Sequence, residues 1–180
     1  MKPQAHQSLV DQLTSSESAL LSQLDGLTPA QWNFRESPGR WTIAENLEHL
    51  TLFEDFIRAT IRRTLEATPE PDKKSAAPSK DQHILSLATS RSTKIQAREI
   101  AQPKGCRSEP TVTITLYRET CAKTIAFVSS TEAPLRDHFF PHLAFGDIDC
   151  YQWLTVLSQH TLRHVAQIEQ IKADPAYPVS

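Results

Sequence analysis
An all-helical fold is predicted, and three observations predict it. Stretches near 3–24, 42–67, 111–129 and 149–173 repeat apolar residues three and four apart, the period of a helix with one buried face. Capping boxes precede several helical stretches, at Thr28 with Gln31 and Thr42 with Glu45, with a weaker form at Asp149 with Gln152. Only 4 glycines occur, few for a nucleotide-binding α/β fold, and no GxGxxG or P-loop pattern is present.

Size and charge narrow the function. At 180 residues the chain fits one domain, 1–180, and is long enough to bury a sizeable core. A formal net charge of -2 provides no basic footprint for nucleic acid and no general attraction to an anionic membrane. No run is long enough to span a bilayer, and the first residues lack the apolar core of a secretory signal. Cys106, Cys121 and Cys150 form an odd set without CxxC spacing, which argues against a disulfide framework and a structural zinc knuckle. A cytoplasmic location is the simplest expectation.

In the first stretch, Val10, Leu13, Leu20 and Leu24 trace one helical line and Asp25-Gly26 ends it; His6 lies in the first turn, at the surface or the end of the core. Pro29 at the first helical position follows the Thr28 cap, so a short turn should carry Trp32 and Phe34 as core plugs. The second long helix, from Thr42 to about residue 67, has Ile43, Leu47, Leu50, Ile57, Ile61 and Leu65 on its apolar side. Asn46, His49, Phe53 and Phe56 share an adjoining stripe.

Residues 68–80 are proline-rich and polar and read as an exposed linker within the domain. A short helix is expected over about 81–91, with Ile84, Leu85 and Ala88 inward, and an extended crossing over 97–110. The third long helix, over 111–129, turns Ile114, Tyr117, Cys121, Ile125 and Val128 inward; Arg118 and Glu119 read as a solvated pair. A loop is expected over 131–147, since Pro141 between His138 and His142 disfavours a continuous helix. Its histidines either line an entrance or pack.

The last helix carries the chemistry. Trp153, Leu157, His160, His164, Ile168 and Ile171 follow its buried seam, so two histidines stand where leucine is expected. An i, i+4 pair stacks on one face and can give two ligands to one divalent metal. A zincin protease is disfavoured, because Thr161 stands where that motif needs glutamate. His49 is the best candidate for a third ligand; the alternative is three histidines satisfied by other hydrogen bonds. Asn46 and Gln167 are candidates to bond the ligand rings, with exposed or capping roles as the alternative. Helix geometry turns Glu45 and Glu48 away from the His49 direction, so no general base is named.

The sequence Trp41-Thr42-Ile43-Ala44-Glu45-Asn46-Leu47-Glu48-His49-Leu50 resembles the second-helix motif of the DinB/YfiT-like metalloenzyme superfamily. Tyr151-Gln152-Trp153-Leu154, followed by the run from His160 to Ile168, resembles its last-helix motif. The similarity extends over nearly the whole chain. It implies a four-helix bundle with a long crossover between the second and third helices and a metal site at one end, held by His49, His160 and His164. Related proteins include thiol-dependent transferases and isomerases.

Three neutral imidazoles with an open position suit catalytic zinc, and nickel, iron or manganese also fit such a donor set. The leading expectation is a metal-dependent enzyme for a small-molecule substrate, a low-molecular-weight-thiol-dependent transferase or a hydrolase. The alternatives are a non-catalytic metal-binding or stress-associated module, and a metal-free interaction protein that forms a homodimer.

Overall fold
The structure is a computed structural model and describes residues 3–86, 98–105 and 109–179. Four long helices, α1 (Pro3–Ser22), α3 (Ile43–Thr64), α5 (Pro110–Ser130) and α6 (Cys150–Lys172), make a four-helix bundle. Between them lie the short helices α2 (Pro29–Trp32) and α4 (Pro78–Leu85) and a hairpin of β1 (Phe139–His142) and β2 (Gly146–Asp149). α1 packs chiefly on α6 and α5, and α3 on α5 and α6, so the first two long helices stand diagonally across the bundle. The connection from α3 to α5 is the long crossover.

Local sequence fixes the helix starts. Thr28, Thr42 and Asp149 each accept from the backbone N–H three residues on, while Gln31, Glu45 and Gln152 reach back to the cap N–H. Each box satisfies two backbone donors that a helix start otherwise leaves unpaired. The predicted apolar seams then form two clusters, one around Leu9, Leu13, Ile57, Ile61, Trp153 and Leu157, the other around Leu20, Leu47, Leu50, Tyr117 and Ile168. Between them α1, α3 and α6 turn inward Ser16, Glu54 and Thr161, all buried. Trp32 is fully buried as a plug, while Phe34 is half-buried with its ring edge-on to Tyr177.

The crossover departs from expectation. Residues 68–80 are mostly exposed but structured, with a 3-10 turn over Pro71–Ala76, and α4 begins at Pro78 rather than near residue 81. Arg136 holds α4 in place: its guanidinium meets both Asp81 oxygens at 3.1 and 3.2 Å and Asp149 at 3.0 Å, and lies over the Tyr151 ring. Gln152 adds donors to the Ala77 carbonyl and to Asp81, both at 2.6 Å. Ile84 is buried as expected, but Leu85 is exposed, because neighbours on a helix point about 100° apart and only one can meet a flat core surface. Ala88 and Cys106 lie outside the described residues.

The expected loop over 131–147 contains the hairpin. β1 and β2 pair antiparallel, Phe139 opposite Asp149 and His142 opposite Gly146, whose φ of 63° suits glycine at the turn. Pro141 is tolerated because a two-stranded ribbon has only edges. His138 is buried and its Nδ1–H donates to the Thr64 carbonyl at the end of α3. His142 packs its ring on Phe145 and Trp153. Among the described residues, no helix is long and apolar enough to cross a membrane.

Candidate metal centre
His49, from the first half of α3, meets His160 and His164, from the middle of α6, on the side of the bundle where the crossover lies against α3. One ring nitrogen from each lies within 4.8 Å of the others. Nε2 of His160 is 3.3 Å from Nε2 of His49 and 3.2 Å from Nε2 of His164. The i, i+4 spacing stacks the α6 pair, and the α3–α6 packing brings in the third ring.

The far ring nitrogens explain which atoms face inward. The His49 Nδ1–H donates to the Ala101 carbonyl at 2.6 Å, and the His164 Nδ1–H donates to Asn46 Oδ1 at 2.7 Å. Asn46 is oriented by its own NH2, which donates to the Thr42 carbonyl at 2.8 Å. With protons fixed on these Nδ1 atoms, the lone pairs of His49 and His164 are on Nε2 and point at each other and at His160. Burial pushes the pKa of all three rings down, and for His160 and His164 the neighbouring histidines and Arg163 push it further. The rings are therefore neutral at physiological pH. That is the state in which imidazole binds a metal.

This arrangement fits an ion better than a hydrogen-bonded cluster. If His160 carries its proton on Nε2, it satisfies one inward lone pair and leaves the other facing it unpaired. His160 Nδ1 is itself buried without a hydrogen-bond partner. In a tetrahedral zinc site, bonds of about 2.0 to 2.1 Å put ligand nitrogens about 3.3 to 3.4 Å apart, close to the two short separations here.

Aromatic rings wall the centre. Trp41, immediately before the α3 cap, lies 4.7 Å from the His49 ring centre and 6.2 Å from that of His164, in a stacked orientation. Phe53 lies 4.4 Å from the His160 ring centre. Glu48, on the helix position before His49, faces the crossover and accepts the backbone N–H of Lys104 at 3.2 Å and of Gly105 at 3.1 Å. It thereby holds the segment that supplies the Ala101 carbonyl.

The other sequence candidates fall into place. Asn46 bonds the His164 ring as considered, while Gln167 stands half-buried further along α6. Glu45 caps α3 and pairs with Arg35, away from the rings. Arg118 is exposed and acts on Glu17 of α1. His6 is half-buried in α1, outside the cluster. The sequence reading missed the roles of Trp41, Glu48 and Ala101. Trp41 stood within the quoted motif, and Glu48 was a charged residue on a helix side that had to be covered; a carbonyl leaves no sequence signal.

Residues 12–168 match the sequence pattern of the DinB superfamily. The chain belongs to the DinB superfamily. Among relatives of this DinB-superfamily protein, YuaE of Bacillus subtilis (strain 168), itself described as uncharacterized, is 24% identical over 154 residues, spanning 84% of this chain and 89% of YuaE. YfiT from Bacillus subtilis, described as a probable metal-dependent hydrolase with an unusual four-helix bundle topology, superposes with a TM-score of 0.60 at 14% identity, covering 96% of this chain and 89% of YfiT. TT2238, described as a four-helix bundle protein, gives a TM-score of 0.51 at 21% identity, covering 92% of this chain and 98% of TT2238. At these identities the structural likeness establishes the four-helix bundle fold. The superfamily chain's own rings must carry the argument about metal.

Proposed function
We propose that this chain is a divalent-metal-dependent enzyme in which His49, His160 and His164 hold the ion and a small-molecule nucleophile takes the open position. One observation carries the reading: neutral, desolvated rings turn their Nε2 atoms toward one point while protons on two Nδ1 atoms are held outward by Ala101 and Asn46. The description of YfiT as a probable metal-dependent hydrolase supports the same class. Zinc, nickel, iron and manganese all suit an imidazole set.

An ion there supplies Lewis acidity, by which a thiol or a water becomes a competent nucleophile near neutral pH. The chain's residues hold and orient: Ala101 and Asn46 fix two rings, and Trp41 and Phe53 exclude water from one side. Among the described residues, no Asp or Glu joins the three histidines in the cluster. A cluster without a carboxylate base favours a nucleophile that gives its proton to solvent near neutral pH, and a low-molecular-weight thiol loses its proton more readily than water. The thiol-dependent transferase is therefore the leading form of the proposal and the hydrolase the second. Cys121 and Cys150 are both free and buried, which accords with a reducing cytoplasm.

The test is metal content of protein purified without an affinity tag, repeated on His160→Ala and His164→Ala. Near-stoichiometric metal in the parent, lost in both variants, is expected. The same trace of metal in all three would sink the reading. A screen of small thiols with electrophilic acceptors, run beside a hydrolysis screen on the loaded protein, then separates the two forms.

A further inference from the structure
Away from the histidines, α3 turns a second set of polar groups into the centre of the bundle. Glu54 is 5% exposed and sits at the level between the two apolar clusters. Its Oε2 accepts a hydrogen bond from the Cys121 thiol of α5 at 3.3 Å. Its Oε1 is buried with no hydrogen-bond partner. This carboxyl borders a cavity of about 10 Å³ that also touches Ser16 of α1, Tyr117 and Cys121 of α5 and Thr161 of α6, with two leucines completing the wall. The Ser16 hydroxyl donates to the Leu13 carbonyl at 2.9 Å, which leaves its oxygen able to accept.

We propose that this cavity is a site for one buried water molecule, bonded to the free carboxyl oxygen of Glu54 and to the hydroxyl of Ser16. Room for one molecule and two to four polar partners are what a buried water requires, and cavities that stay dry are apolar. The water completes the hydrogen bonding of an acid that would otherwise be left unsatisfied at the core. Larger ligands are excluded by volume.

The occupant is water rather than a cation because burial favours the neutral form of the acid and the other walls are hydroxyl, thiol and apolar groups. Burial raises the pKa of Glu54, with the Thr124 and Cys121 side chains and the Arg58 charge opposing and Glu17 of α1 adding to the rise. Arg58, on the same helix, points its guanidinium at the Thr120 carbonyl, Thr124 and Asp55. α5 presents the Tyr117 phenol and Cys121 thiol, both pushed up by burial, and α6 presents the neutral Thr161. The site does not depend on whether the histidines bind metal.

A crystal structure of the full chain near neutral pH, at a resolution that orders internal solvent, tests the proposal together with an infrared spectrum. One solvent peak within hydrogen-bonding distance of Glu54 and Ser16 is expected, with a protonated-acid carbonyl band that disappears in Glu54→Gln. Ser16→Ala should weaken or empty the peak while the band remains. An empty cavity with its walls in place, or a peak with the anomalous signal of soaked rubidium beside an ionised Glu54, would overturn it. Because the parent protein supplies both primary readouts, a variant that fails to fold does not leave the question open.

Discussion
The side-chain oxygen of Asn46 lies 2.7 Å from Nδ1 of His164, on a carboxamide whose NH2 is already committed to the Thr42 carbonyl. One buried amide thus ties the cap of α3 to the orientation of a ring on α6. The pairing also fixes which nitrogen of His164 faces the centre.

Asn46→Ala should lower metal affinity about 10- to 100-fold, the usual effect of deleting a partner that orients a ligand. Asn46→Asp keeps an acceptor and should retain most of it. Competition against a coloured chelator measures both, and equal affinities for the parent and the alanine variant would contradict the assigned tautomer.

Removal of metal should lower the melting temperature, because an ion bound only by the native state stabilises that state by mass action. A saturating ion at about a hundred times its dissociation constant adds ~2.7 kcal/mol. Calorimetry with and without chelator should show this for the parent and no difference for His49→Ala.

Glu48→Ala should release residues 104–105 from α3 by leaving two backbone N–H groups without their carboxylate. A loss of about 1–3 kcal/mol is expected in denaturant unfolding. Faster amide exchange over 101–105, with the four long helices still protected, would locate the effect in the crossover.

His142 should make the protein sensitive to acid. Burial, with the Arg98 charge, lowers its pKa from 6.5 to about 4. Between those values the unfolded chain binds more protons than the folded one, so this contribution is present above pH 6.5 and is lost as pH falls toward 4. The full shift corresponds to at most ~3 kcal/mol, less after solvent screening at a half-buried ring. His142→Gln should flatten the stability profile in that window, and an unchanged slope would rule this source out.

Periodicity and capping made the four long helices and their starts legible, since both depend on residues no more than a turn apart. The histidine set was legible too, because His160 and His164 occupy leucine positions and His49 lies on the stripe with Asn46 and Phe53. The β1–β2 hairpin was not, because its strands are only four residues each and Pro141 weakens the strand pattern. The start of α4 was hidden for another reason. Pro78 and the polar residues around it signal a linker, while Arg136 and Gln152, distant in sequence, secure the helix. The Ala101 carbonyl shows the limit most sharply, since any residue at that position supplies the same group.

That carbonyl belongs to none of the four long helices. A redesign that copied only the bundle and its three imidazoles would leave the Nδ1–H of His49 without its acceptor, and would have to transplant 98–105 as well to restore it. The same dependence gives evolution a separate dial, for edits to the connecting strap can re-aim the His49 ring while the packed interior stays untouched.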